Sequence, residues 1–377
     1  MLVRLAWLVV AGFALAACQG TGADMLDDVA TGPRQAEEVI GSGGVTVAML
    51  LPRSAGGEAG RRARDIRAGA ALALADLGDG RLSLAIHDTA GRADAIAALA
   101  GQAQAAGARL ILGPVTASEV AALVGAGQRP PAIAFTGNGE PRGETAFAIA
   151  SDAVDSALES VRIAAGAGRK SFVALAPGDF SPADRDRLAR GLAETGAEFL
   201  GLVPYAGAGQ ALAAGIAARR ETLVKADGVI IFGSGDAPAS IAAALRAASS
   251  LRPGATIIGN LTWTSASFAR PELDGALVSM PDQSGMALIA DRYRTQAGRA
   301  LSLDAAYGYD AVAVAAGIVR TMGDDALTAA TLTRSSGFRG TTGIFRFMPD
   351  GSVQRPLALY RVGAGTLQLV DAAPEGF

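Results

Sequence analysis

The chain has 377 residues, 50% of them hydrophobic and 18% charged, a balance that excludes global disorder. Its 33 basic and 36 acidic residues give a net charge of −3, and the arginines form no stripe, so nothing offers nucleic acid a basic field. A single cysteine, Cys18, excludes an internal disulfide, and a single histidine, His87, leaves no zinc ligand set and only one candidate base for a histidine triad.

Residues 1–17 carry one positive charge at Arg4, an apolar run from Leu5 and small residues before Cys18. This is the pattern of a secretory leader, too short to span a bilayer. Leu15-Ala16-Ala17-Cys18 resembles the bacterial lipoprotein signal, which implies cleavage before Cys18 and lipid on its sulfur. Gln19, where Asp would imply retention at the inner membrane, implies export to the outer membrane of a Gram-negative cell. An ordinary leader with a chance cysteine is the alternative. Residues 18–44, rich in Gly, Asp, Ala and Thr and without apolar period, read as a flexible tether.

The folded part is expected over residues 45–377. VTVAMLL, ended by Pro52, is the continuous apolar run of a strand buried on both faces. Residues 61–77 then read as an amphipathic helix with Ile66, Ala70, Leu74 and Leu77 on one face. LSLAIHD, a helix over 93–106, RLILG, a helix over 119–123 and AIAFT continue a strict alternation, which requires right-handed crossovers and a parallel sheet. The pattern restarts near residue 151 with a helix to 165 and the strands SFVALA, EFLGLV, GVIIFG and TIIG. GALVSM, helices over 286–296 and 304–322, and a closing β meander built on the turn MPDG complete the chain.

VAMLLPRSAG, IRAGAALALAD, HDTAG, ILGPVTASEV, AFTGN, AAYGYDAVAVAA and GTTGIFRFMPDGSVQRPLALYRVGAG, in that order, resemble the type I periplasmic-binding-protein fold of the leucine-binding-like group. The resemblance implies an α/β chain of two lobes, each a parallel sheet flanked by helices, crossed three times. It puts lobe one at 45–148 and 277–330 and lobe two at 149–276 and 331–377. It also implies an interlobe cleft edged by strand ends and helix N-termini. On that edge the candidate residues are Ser54, Thr116, Ser118, Thr136, Phe180 and Ser234. Each Ser or Thr has helix capping as its alternative.

Amino-acid-binding members bring an acid from lobe two to the ligand ammonium, and the corresponding stretch GNLTWTSASF (259–268) has none. Branched-chain amino acids are therefore expected to bind weakly. SFARPELDGALVSMPD, ILGPVTASEVAALV and TTGIFRFMPDGSVQRPLALYRV resemble the lipoprotein activators of penicillin-binding proteins. That branch implies a non-catalytic lipoprotein that contacts a bifunctional penicillin-binding protein and stimulates peptidoglycan synthesis. The alternative is the substrate-binding lipoprotein of a branched-chain-amino-acid-type ABC transporter, with a small ligand in the cleft. Neither reading involves a cofactor or a metal.

Other chemistries find little support. There is no GxSxG elbow, and GAGRKS (166–171) runs from helix into strand, the reverse of a phosphate-cradling loop. The acids of SPADRDRLAR, Asp184 and Asp186, are expected on a solvated helix face.

Overall fold

A computed structural model describes residues 38–127, 129–207 and 209–377. The expected leader, Cys18 and most of the expected tether lie outside these residues. The tether as expected is too long, because Glu38–Ile40 forms a strand, β1, that pairs antiparallel with the second long strand.

The alternating pattern builds lobe one in chain order: β2 (Val45–Leu51), α1 (Gly57–Leu77), β3 (Leu82–Asp88), α2 (Ala93–Ala105), β4 (Leu110–Leu112), α3 (Ala117–Val124), β5 (Ala132–Ala134) and β6 (Ala146–Ala148). These strands form a six-stranded sheet of order β1-β3-β2-β4-β5-β6, parallel throughout except at β1. Since helices cover both faces, β2 has no polar alternation, and Met49, Leu50 and Leu51 are all fully buried.

The chain then enters lobe two through α4 (Ala153–Gly166), β7 (Ser171–Pro177), α5 (Pro182–Glu194), β8 (Glu198–Tyr205), α6 (Gln210–Ala218), α7 (Arg220–Leu223), β9 (Gly228–Ile231), α8 (Ala237–Ala247), β10 (Thr256–Ile258), α9 (Ser265–Phe268) and β11 (Leu277–Met280). It returns to lobe one for α10 (Ser284–Ala297), α11 (Leu303–Met322), α12 (Ala329–Leu332) and a small antiparallel sheet of β12 (Phe338–Gly340), β13 (Gly343–Phe347) and β14 (Val353–Gln354). Finally β15 (Ala358–Gly363) and β16 (Thr366–Asp371) complete a seven-stranded lobe-two sheet of order β16-β15-β11-β10-β9-β7-β8.

Two lobe boundaries thus differ from those expected. GALVSM supplies β11, which pairs in parallel with β10 and antiparallel with β15, so it belongs to lobe two. Residues 331–354 belong to lobe one, where Phe338, Phe345, Phe347 and Val353 join the core containing Phe147 and Ile149. The cause is burial: the aromatic face of β12 and β13 packs on Phe147, with Phe147 and Phe347 rings 5.5 Å apart.

Helices α1 and α11 lie backbone to backbone in lobe one. A Cβ on Gly69 would fall 1.8 Å from the Ala305 carbonyl oxygen, and one on Gly308 would fall 2.2 Å from that of Ile66. Only glycine permits this approach at both places. It matters for function because α1 begins at the cleft.

Candidate functional site

The C-terminal ends of β2, β4 and β5 open onto one end of lobe one, where parallel α/β sheets present their loops and helix N-termini. A cavity of about 380 Å³ lies there, lined by Glu58 and Ala59 of α1, Thr116 and Ala117 of α3, and Thr136, Gly137 and Glu140 of the loop after β5. The N-cap of α1 is Gly56, which has no side chain to cap with, so its first-turn N–H groups lack a side-chain cap. α3 differs. Thr116 accepts from the Glu119 N–H at 3.4 Å while the Glu119 carboxylate accepts from the Thr116 N–H at 3.1 Å, a capping box. The cap is therefore Thr116, with exposed Ser118 standing 3.4 Å away from its hydroxyl. Glu119 is fully buried and also accepts from Thr89.

Thr136 is buried, and its Oγ1 has no hydrogen-bond partner. A buried hydroxyl left so costs free energy unless something fills its bond. It stands in the wall that also carries the two helix N-termini, where the backbone favours negative charge.

Arg62 shapes this edge. Its three guanidinium nitrogens donate to Asp304 at 3.0 Å, to the Val115 carbonyl at 3.1 Å and to the Phe135 carbonyl at 2.7 Å. One side chain so ties α11 to the loops after β4 and β5. Burial pushes the Asp304 carboxyl above its ordinary value, and Arg62 opposes that.

Of the six residues proposed from sequence, Thr116 and Thr136 line the cavity. Ser54 instead donates its backbone N–H to Asp88, at 3.1 and 3.2 Å to the two carboxylate oxygens. Burial raises the Asp88 pKa, but hydrogen bonds from Ser54, Ala90 and Arg53 outweigh it and hold the carboxyl below its usual value. Phe180 and Ser234 follow β7 and β9 of lobe two and do not line this cavity. The Phe180 ring packs 4.7 Å from Phe232, and Ser234 is exposed. Sequence reasoning missed Arg62, Glu58 and Glu140, since an Arg and two Glu in a helix and a loop look like ordinary surface.

Where the lobes meet, Asn138 exchanges hydrogen bonds with the Val353 backbone at 2.9 and 2.8 Å and donates to Asp155 of α4 at 3.1 Å. The Gly139 N–H donates to Asp152 at 2.8 Å. Arg187 of α5 pairs with Asp152 and lies 3.8 Å from Asp155 and 3.6 Å from Asp184. Asp184 is thus part of a half-buried interlobe cluster, contrary to the solvated face expected, because α5 packs alongside α4; Asp186 is exposed. A second tie joins the crossings: Arg355 donates to Ile149 at 2.9 Å and to Thr342 at 3.0 Å, and the Ser151 N–H donates to the Tyr307 hydroxyl at 3.3 Å. His87 is buried in β3, and burial lowers its pKa.

A family model described as periplasmic binding protein matches residues 44–366. No curated protein matches the chain. Among solved structures, a Rhodospirillum rubrum protein assigned to branched-chain amino acid ABC transport superposes with a TM-score of 0.71 at 17% identity, covering 86% of this chain and 99% of its own. An ABC transporter substrate-binding protein from Desulfitobacterium hafniense, in complex with leucine, gives 0.64 at 16% identity over 86% and 99%. A solute-binding protein from R. palustris, in complex with benzoate, gives 0.61 at 17% identity over 89% and 99%. With the match spanning nearly all of both lobes, the chain belongs to the periplasmic binding protein family.

Proposed function

We propose that the protein is the substrate-capturing component of an ABC-type uptake system and binds a small carboxylate in its interlobe cleft. The observation that carries this reading is the buried, unpartnered hydroxyl of Thr136 in a wall shared with the N-termini of α1 and α3. A carboxylate there satisfies that hydroxyl and meets the positive ends of two helices. The benzoate and leucine carried by two structural relatives are both carboxylates, which supports the same chemistry. These relatives put ligand capture ahead of the contact with a penicillin-binding protein expected from sequence. Retention at the envelope through lipid on Cys18 is part of the same proposal.

Calorimetry and thermal unfolding with leucine, benzoate and related small carboxylates test it. A ligand at 100 times its dissociation constant adds about 2.7 kcal/mol of stability, a readily visible shift. If no carboxylate binds while the protein accelerates cross-linking by a purified penicillin-binding protein, the activator reading replaces this one.

A further inference from the structure

Two carboxylates, Glu58 and Glu140, line the lobe-one cavity, against one cation, Arg62, whose three guanidinium nitrogens are each already bonded to protein oxygens. Glu58 is exposed in the first turn of α1, where an acid stabilises the helix end, so it has a structural use. Glu140 has none. It is half-buried, and among the described residues no hydrogen bond or ion pair reaches its carboxylate. Burial pushes its carboxyl upward, helped by Asp184 and Asp152, while Arg187 and Arg62 oppose from longer range. Its loop is held in place by the Asn138 and Gly139 bonds to Val353, Asp155 and Asp152, so the acid is presented on a fixed support. A partly desolvated carboxylate facing a cavity without a partner is stabilised by a cation entering that cavity.

We infer that Glu140 is a specificity-determining residue of the cleft: it receives an ammonium or guanidinium group of the ligand from the lobe-one side, beside the carboxylate held by Thr136. The inference rests on the small-carboxylate reading above. It also supplies, from the opposite lobe, the acid that 259–268 lacks.

Shape-matched probes differing only in the amine test it: leucine against 4-methylpentanoate, and 4-(aminomethyl)benzoate against 4-methylbenzoate, each titrated calorimetrically into wild type, Glu140→Gln and Glu58→Gln. The wild type should prefer the amine member of at least one pair by tenfold or more. Glu140→Gln should lose most of that preference while still binding the amine-free member, and Glu58→Gln should keep it. A preference unchanged in Glu140→Gln, or a wild type that binds the amine-free member equally well, overturns the inference and leaves carboxylate capture standing. An equal loss of both members in Glu140→Gln also overturns it and assigns the residue to contact between the lobes. Failure of all four probes to bind wild type removes the carboxylate reading and this inference with it.

Discussion

Both lobes bring strand ends and loops to the cleft, and they leave different polar groups free there. At the lobe-two edge four polar side chains are used internally, although the buried Trp263 Nε1 has no hydrogen-bond partner. Tyr205 donates to the Phe232 carbonyl at 3.0 Å, Asn260 to that of Ile231 at 3.0 Å, Thr262 to that of Gly233 at 3.1 Å, and Ser267 to that of Gly235 at 3.3 Å. Phe180 closes over Phe232. At the lobe-one edge the Thr136 hydroxyl, the Glu140 carboxylate and the N-terminus of α1 are left without such partners, while α3 is closed by its Thr116–Glu119 capping box. On the proposed ligand capture, lobe one would recognise the ligand while lobe two mostly holds its own loops in shape.

Arg62 gives the largest test of this asymmetry, because it organises the recognising edge. Arg62→Ala leaves Asp304 without its cation and two loop carbonyls without a donor, and is expected to cost about 3 kcal/mol in denaturant unfolding. A loss below about 1 kcal/mol would mean that Arg62 does not hold the edge together.

Next comes a matched pair, one from each edge. Asn260→Ala removes a fully buried donor to Ile231 and an acceptor for Thr262, and should cost about 2 kcal/mol of stability with little effect on ligand affinity beyond that. Thr136→Val replaces an unpartnered hydroxyl by a methyl of the same shape. Its stability should change by less than about 0.5 kcal/mol, while affinity for a carboxylate ligand falls about tenfold. The reverse pattern, with Thr136→Val unfolding the protein and Asn260→Ala abolishing binding, would exchange the roles of the two edges.

The smallest effect is expected at the seam between them. Burial, with the Asp152 charge adding and Arg187 opposing, raises the Asp155 carboxyl from 3.8 to about 7. A carboxyl whose folded value lies above its unfolded one stabilises the fold while protonated. Its contribution is complete below about pH 4 and is lost as pH rises to about 7. Asp155→Asn keeps the shape and the acceptor for Asn138, so it should flatten the pH dependence of stability in that window. Near pH 8 it should gain on wild type by on the order of 1 kcal/mol, the shift being discounted for the partial exposure of the side chain. Unfolding curves near pH 5 and pH 8 read this directly, and parallel slopes for the two proteins would remove Asp155 from the seam's titration.

The sequence by itself determined the alternation of strands and helices, its restart as a second lobe, and two cavity residues, Thr116 and Thr136, while the three crossings came from the resemblance. Each but the crossings follows from local information: an apolar run, a helical period, or a Ser or Thr placed just after a strand. It also made the helix-into-strand order of 166–171 legible, as α4 ends at Gly166 and β7 begins at Ser171. The tertiary structure alone decided which sheet takes β11, since a four-residue apolar strand carries no mark of its neighbours until β10 and β15 pair with it. It alone put residues 338–354 in lobe one, where three phenylalanines find Phe147, far away in the chain. It alone separated Arg62 and Glu140 from the many other charged residues. A charged side chain announces nothing about burial in one dimension; its role is set by the carbonyls, carboxylates and empty space that distant segments bring around it.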